Sequence, residues 1–181
     1  MKFLGPIVSI LFVSLAPLAM AESAKDTAQA EERADLFTAL KAAPNEKVAN
    51  AAIRAIWELW QTAPDEEAQG MLDAARQRMR VYDFNGAIEH LDKLVAYAPD
   101  YAEGWNTRAT TLFLQEKYDL SLEDVEKTLD LEPKHFGALA GKAVILMRQG
   151  RVELSQDALR KAVEVNPYLR ERRMLIETPP E

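Results

Sequence analysis

Cysteine is absent from the chain, and only two imidazoles are present, at His90 and His135. Without thiols there is no disulfide, no thiolate zinc site and no cysteine nucleophile. No HExxH, GxSxG, phosphate-cradling glycine loop or EF-hand loop occurs. Glu123 and Asp124 are adjacent carboxylates, but neighbours on a helix do not share a face, so a paired-carboxylate mechanism has no support there. The residue types therefore predict no catalytic residue, no metal and no cofactor, and a chain that is not an enzyme.

Composition points the same way. Charged residues make up 28% and apolar ones 48% of 181 residues, which suits a helix-rich folded protein with a sizeable core. Net charge is −7. That balance argues against nucleic acid, whose partners carry basic faces, and against an anionic lipid surface.

The N-terminus reads as a targeting segment. Lys2 precedes an apolar run from Phe3 to Ala19, and Ala19-Met20-Ala21 offers small residues for signal peptidase. The alternative, a membrane anchor, is disfavoured by the short run and by Pro6 and Pro17 near its ends. Residues 1–21 are thus expected to be a cleaved signal peptide and 22–34 a flexible linker. The remainder reads as bacterial, which makes the expected location the periplasm, with no membrane span after cleavage.

Asp35–Ala43 is a short amphipathic segment stopped by Pro44-Asn45. Glu46–Thr62 is a stronger helix with Ala52, Ile53, Ile56, Leu59 and Trp60 at helical spacing, extended by Ala49 and Trp57. Trp57 and Trp60 read as core, with a partner anchor as the alternative. From Pro64 the punctuation becomes regular: Pro64, Pro99, Pro133 and Pro167 are 35, 34 and 34 residues apart. A proline can occupy the first turn of the following helix. Between prolines the chain predicts two antiparallel helices joined at Tyr82-Asp83, Glu116-Lys117 or Gly150-Arg151.

Three copies align over 68–101, 102–135 and 136–169. The eighth place is always small (Ala75, Ala109, Ala143), as is the twentieth (Ala87, Ser121, Ser155). The fourth (Met71, Trp105, Leu139), seventeenth (Phe84, Tyr118, Val152) and twenty-fourth (Leu91, Val125, Leu159) are apolar. Interlocking helices require this alternation of small and large residues. Glu89, Glu123 and Asp157 each precede a lysine (Lys93, Lys127, Lys161) by four residues, which predicts ion pairs on a solvated outer face. His135 stands where the preceding copy has Tyr101 and the following segment Leu169, so packing is expected of it.

These residues resemble the tetratricopeptide repeat. The middle copy is closest, through Trp105, Ala109, Tyr118, Val125 and Pro133. It departs at Arg108, where the family prefers Leu, and at Leu112, where it prefers Tyr. The resemblance implies an all-α, right-handed α-solenoid of antiparallel helix pairs. Its helical domain would cover 35–177: a divergent N-terminal pair capping the stack (35–64), three repeats, and a solvating end helix (167–177) before a tail at 178–181.

The resemblance also implies that the first helices line a concave groove. Its lining falls on Leu72, Arg76, Met79, Arg80, Asn106, Thr110, Phe113, Leu114, Val144, Met147 and Arg148, with Glu103, Gly137 and Ala140 on the same rows. Such a surface suits a peptide or short helix with an apolar stripe, and Arg76, Arg80 and Arg148 would pair its acidic groups. The carboxylate clamp of one subfamily is missing, since its places hold Leu72, Arg76, Thr107, Gly137 and Gly141. The expected function is a protein-interaction adaptor holding a protein or peptide partner, with cell-envelope assembly as the setting. The alternative is a self-associating structural unit, a homo-oligomer in which Trp57 or Trp60 docks on Leu175 and Ile176 of another copy.

Overall fold

The computed structural model describes residues 30–176, which contain eight α-helices and no strand. A helix over residues 30–42 (α1) is followed by Glu46–Gln61 (α2), Glu66–Arg80 (α3), Phe84–Tyr97 (α4), Ala102–Leu114 (α5), Tyr118–Leu131 (α6), Phe136–Arg148 (α7) and Val152–Val165 (α8). A 3-10 turn, Arg170–Met174, comes last. The chain divides into two units, Met1–Asp35 and Leu36–Glu181; the packing below is that of the second. The expected leader (1–21), most of the linker and the tail (178–181) lie outside the described residues. Helix is already formed at residue 30, inside the expected linker, because the Ala-Glu-Glu-Arg-Ala run is made of strong helix formers.

The repeats fold as helix pairs α3–α4, α5–α6 and α7–α8, stacked in order. The small places let each pair close. Ala75, Ala109 and Ala143 are 0%, 2% and 0% exposed. Where the twentieth place is serine, its hydroxyl donates to the carbonyl of that alanine: Ser121 to Ala109 and Ser155 to Ala143, both at 2.7 Å. The buried hydroxyl thus keeps a partner without adding bulk. Neighbouring pairs are tied by a second recurrent bond, Gln115 Nε2 to Asn85 Oδ1 and Gln149 Nε2 to Asp119 Oδ1, each 2.8 Å.

Each first helix ends as the sequence predicts. Tyr82, Glu116 and Gly150 take positive φ (60°, 60° and 74°). In each case the next residue's N–H reaches back five places, Asp83 to Arg78, Lys117 to Leu112 and Arg151 to Leu146. That is the Schellman ending, which satisfies carbonyls the helix leaves open. Only the third copy uses glycine; Tyr82 and Glu116 hold the same turn against the steric cost of a side chain. The prolines are displaced from their expected place. Pro99 and Pro133 occupy turns ahead of the helix, and the cap falls two residues later. At His135 the cap is the imidazole, whose Nδ1 accepts the Ala138 N–H at 3.0 Å.

Two terminal expectations fail. The solvating helix over 167–177 is absent; the segment makes only the 3-10 turn and then runs extended through Leu175. Gln156 on α8 holds it there, donating to the Met174 carbonyl at 3.0 Å and accepting the Ile176 N–H at 2.8 Å. These bonds satisfy backbone groups that a helix would have paired internally.

The N-terminal pair does not stack as a degenerate copy ahead of α3. The apolar face of α2 instead crosses to α5 and the start of α7. There Phe37, Leu40, Ile56 and Trp60 close a core with Phe136, flanked by Val165, Tyr168 and Leu169. The Tyr168 hydroxyl donates to the Ala43 carbonyl at 2.6 Å, joining the two ends. Size explains the choice: two indoles have no counterpart at the small places of a repeat interface, whereas the α7 start offers flat rings and a glycine.

The acid–lysine pairs are not formed among the described residues. Asp157 pairs with Arg160 at 2.8 Å, and Glu126 reaches Lys142 on the next repeat. Glu89, Lys93, Glu123 and Lys161 do lie in solvent, where such pairs contribute little.

Candidate partner-binding cleft

The first helices bring part of the expected lining together. Asn106, Thr110 and Phe113 on α5 face Val144 on α7, across an open cleft of about 310 Å³. Gly137, Ala140 and Gly141 make its α7 wall, and Ser121 and Val125 its α6 base. A Cβ at Gly141 would meet nothing within 4 Å, so this stretch of helix is bare. Phe113 is half-buried and tilted against Tyr118, with ring centroids 5.6 Å apart.

Two elements beyond the repeats complete the walls. Trp57 from α2 stands at one side, and Leu169 and Glu171 from the C-terminal segment also line the cleft. Trp57 fits because residue 137 is glycine: a Cβ there would lie 2.6 Å from Trp57 Cη2. Its ring meets His135 and Phe136 edge-on at 5.5 Å and 5.6 Å. Trp57 was visible as half of the Ile56–Trp60 motif. Glu171 belongs to no repeat place and carries no sequence signal, whereas Leu169 shares a repeat place with Tyr101 and His135, which predicts packing and not cleft lining.

The other expected residues lie elsewhere. Leu72 is 0% exposed and belongs to the core of the first pair with Leu91 and Leu94, whereas Asn106 and Ala140 at the same place of the next copies reach the cleft. Met79 packs on the same core, and its sulfur accepts the Thr111 hydroxyl at 3.3 Å. Leu114, Arg80 and Arg148 are exposed at the helix ends and Met147 is half-buried, and none lines the cleft. The groove of this chain is therefore built by the second and third repeats. Trp60 is only 5% exposed, which removes the docking contact expected of it in a self-associating unit.

Arg76 is occupied internally. Its guanidinium donates to Glu103 Oε1 at 3.1 Å, and Glu103 is 4% exposed. The other oxygen of Glu103 accepts from Asn106 Nδ2 at 2.8 Å and lies 3.2 Å from His135 Nε2. Since His135 Nδ1 already accepts the Ala138 N–H, Nε2 carries the proton and donates. His135 is fully buried and stacked on Trp60 at 4.0 Å. It fixes α7, Glu103 and the α2 tryptophans to one another, a positioning role. Close by, the Tyr101 hydroxyl is buried without a hydrogen-bond partner. Burial, then the Glu103 charge, push its pKa up, so it stays a phenol.

A second polar node explains the departure at Arg108. Its guanidinium forks onto Asp124 (2.7 and 2.8 Å) and reaches Asp92 at 2.8 Å, while lying 4.9 Å over the Trp105 ring. Asp124 is 4% exposed and Glu123 exposed, so the adjacent carboxylates do face apart. The hydrogen bonds that Arg108 donates to Asp124 hold its pKa above the usual value. Among the described residues no group of three His, Cys, Asp or Glu side chains could hold a metal ion, and no helix is long and apolar enough to cross a membrane.

Known proteins share this architecture. Residues 136–168 match the family model described as Tetratricopeptide repeat. A TPR repeat-containing protein of Rhizobium etli is 43% identical over 81 residues, covering 45% of this chain and 40% of that protein. The chain thus spans less than half the length of the curated relatives it matches. Among solved structures, the first TPR of Spaghetti (RPAP3) bound to the HSP90 peptide SRMEEVD is similar with a TM-score of 0.59 and 15% identity, covering 60% of this chain and 86% of that one. The second TPR domain of human RPAP3 with the HSP70 peptide SGPTIEEVD is similar with a TM-score of 0.58 and 16% identity, covering 62% and 93%. Three helix pairs in register, each closed by the same turn and by small residues at the same places, give the chain the tetratricopeptide-repeat fold, and its third repeat matches the model of that family.

Proposed function

We propose that the protein is a non-catalytic adaptor that holds an apolar segment of a protein partner in the cleft between α5 and α7. The observation that carries this reading is the bare α7 stretch at Gly141, in a mostly apolar cleft that Phe113 and Trp57 also line. A concave, mostly apolar cleft with a few fixed polar groups is what a ligand needs. The RPAP3 domains of the same fold hold peptides, which supports the use of the fold.

The proposal includes export to the periplasm and a role in the cell envelope. It rests on the leader-like pattern of residues 1–21, on a family-level analogy for the process, and on nothing in the cleft.

Gly141→Trp is the test. A Cβ at residue 141 meets nothing within 4 Å, so the new indole is expected to point into the cleft. Crosslinking in intact cells should capture a partner with the native chain, and the variant should lose it while keeping its helical circular dichroism. An unchanged set of captured partners would place binding elsewhere. Fractionation of the same cells should recover the chain outside the cytosol and shortened; an intact chain confined to the cytosol would remove the export claim.

A further inference from the structure

We infer that the segment this cleft takes is basic as well as apolar: an aliphatic or aromatic anchor followed by a lysine or arginine. This rests on the proposed cleft and adds the charge of its occupant. It reverses the acidic partner expected from the sequence, and it differs from the acidic peptides held by the RPAP3 domains.

The hydrogen-bonding capacity left in the cleft decides the sign. The Thr110 hydroxyl donates its proton to the Asn106 carbonyl at 3.0 Å, and the Ser121 hydroxyl to the Ala109 carbonyl at 2.7 Å. Asn106 spends one amide proton on Glu103, which also fixes its orientation, because a carboxylate only accepts. What the side chains leave to a ligand is the Asn106 Oδ1, the lone pairs of Thr110 Oγ1 and the Glu171 carboxylate, against one Asn106 N–H and the Trp57 indole N–H. The side chains of the lining offer more acceptors than donors, and their one charge is negative.

The charges agree. Glu171 is the only ionised side chain in the lining. It is half-buried and bonded to no side chain among the described residues. Arg76 is held by Glu103. Arg80 and Arg148 stand outside the lining, as do Arg170, Arg172 and Arg173 beside Glu171, and Arg172 is drawn to Glu46 at 3.6 Å. A carboxylate entering here would meet no cation in the lining and the like charge of Glu171. An ammonium or guanidinium would meet a carboxylate and neutral acceptors, while its stem lies along Trp57 and Phe113. The net charge of −7 favours the approach of the same sign of ligand.

The test uses the full-length chain and two blocked peptides of Leu, Phe and Ala, one carrying lysines and its twin glutamates at the same places. Titration calorimetry should show the lysine peptide binding at least about fivefold tighter, with the preference shrinking as salt rises. Glu171→Gln should abolish most of that preference. Gly141→Trp, and independently Thr110→Trp, should abolish binding of both peptides. Equal or tighter binding of the glutamate peptide, still lost in Gly141→Trp, would overturn the inferred charge and leave the cleft assignment standing. A lysine preference untouched by Glu171→Gln would overturn the role of Glu171 and trace the preference to the general acidity of the protein. Binding of neither peptide, or binding unaffected by both tryptophan variants, would overturn the charge and the cleft together.

Discussion

Replacing Trp60 by alanine should release the N-terminal helix pair from the repeats. Trp60 is 5% exposed, stacks on His135 at 4.0 Å, lies 4.8 Å from Phe136 and 6.2 Å from Phe37, and meets Trp57 edge-on at 5.3 Å. Removing an indole from such a core costs about 3–5 kcal/mol, from lost burial and the cavity left behind. Aromatic contacts of this kind add to that through geometry. The loss should be local, because a stacked array is stabilised pair by pair. Amide hydrogen exchange should rise through α1 and α2 while α3 and α4 keep their protection. Exchange unchanged in α2 would show that Trp60 is dispensable and that something else seats the pair.

Arg108→Leu should destabilise the protein although it restores the residue the repeat family prefers. The fork onto Asp124 neutralises a carboxylate that is 4% exposed. Removing one partner of a buried pair commonly costs about 3–5 kcal/mol, because the other charge is stranded. Arg108 keeps some solvent contact, its side chain being 20% exposed, so a loss of about 3 kcal/mol is expected. The contact with the more exposed Asp92 adds little. Urea unfolding should show the loss in Arg108→Leu and recover most of it in Arg108→Leu with Asp124→Ala. A single variant as stable as the native protein would mean that Asp124 protonates or rehydrates at no cost.

These two sites mark where the sequence was legible and where it was not. The 34-residue period, the small residues at Ala75, Ala109 and Ala143 and the turns at Tyr82, Glu116 and Gly150 are local or repeated, and the structure follows them. The Arg108 fork was visible only as a misfit, because its partners Asp92 and Asp124 lie 16 residues away on either side. The path of α2 was hidden for a stronger reason. Its stripe of Ile56, Trp57 and Trp60 announces burial but not the surface that buries it. That surface is made by His135, Phe136 and Tyr168, far along the chain. The cleft shows the same division. Asn106, Thr110, Phe113 and Val144 followed from repeat places. Leu72 and Arg76 occupy equivalent places and are used up inside the protein, the one by packing and the other by Glu103. Trp57 and Glu171 come from outside the repeats, and Leu169 from the last place of the third.

The chain has three tryptophans, and they stand in different settings. Trp57 walls the cleft, Trp60 is buried behind it, and the Trp105 indole N–H donates to the Pro99 carbonyl at 2.8 Å. The indole N–H resonances in a nitrogen-15 spectrum, followed as the lysine peptide is added, therefore report on the cleft directly. The Trp57 signal should move with saturation while those of Trp60 and Trp105 stay in place. Saturable binding that leaves Trp57 unmoved would contradict the assignment of the cleft between α5 and α7 as the site that holds a partner.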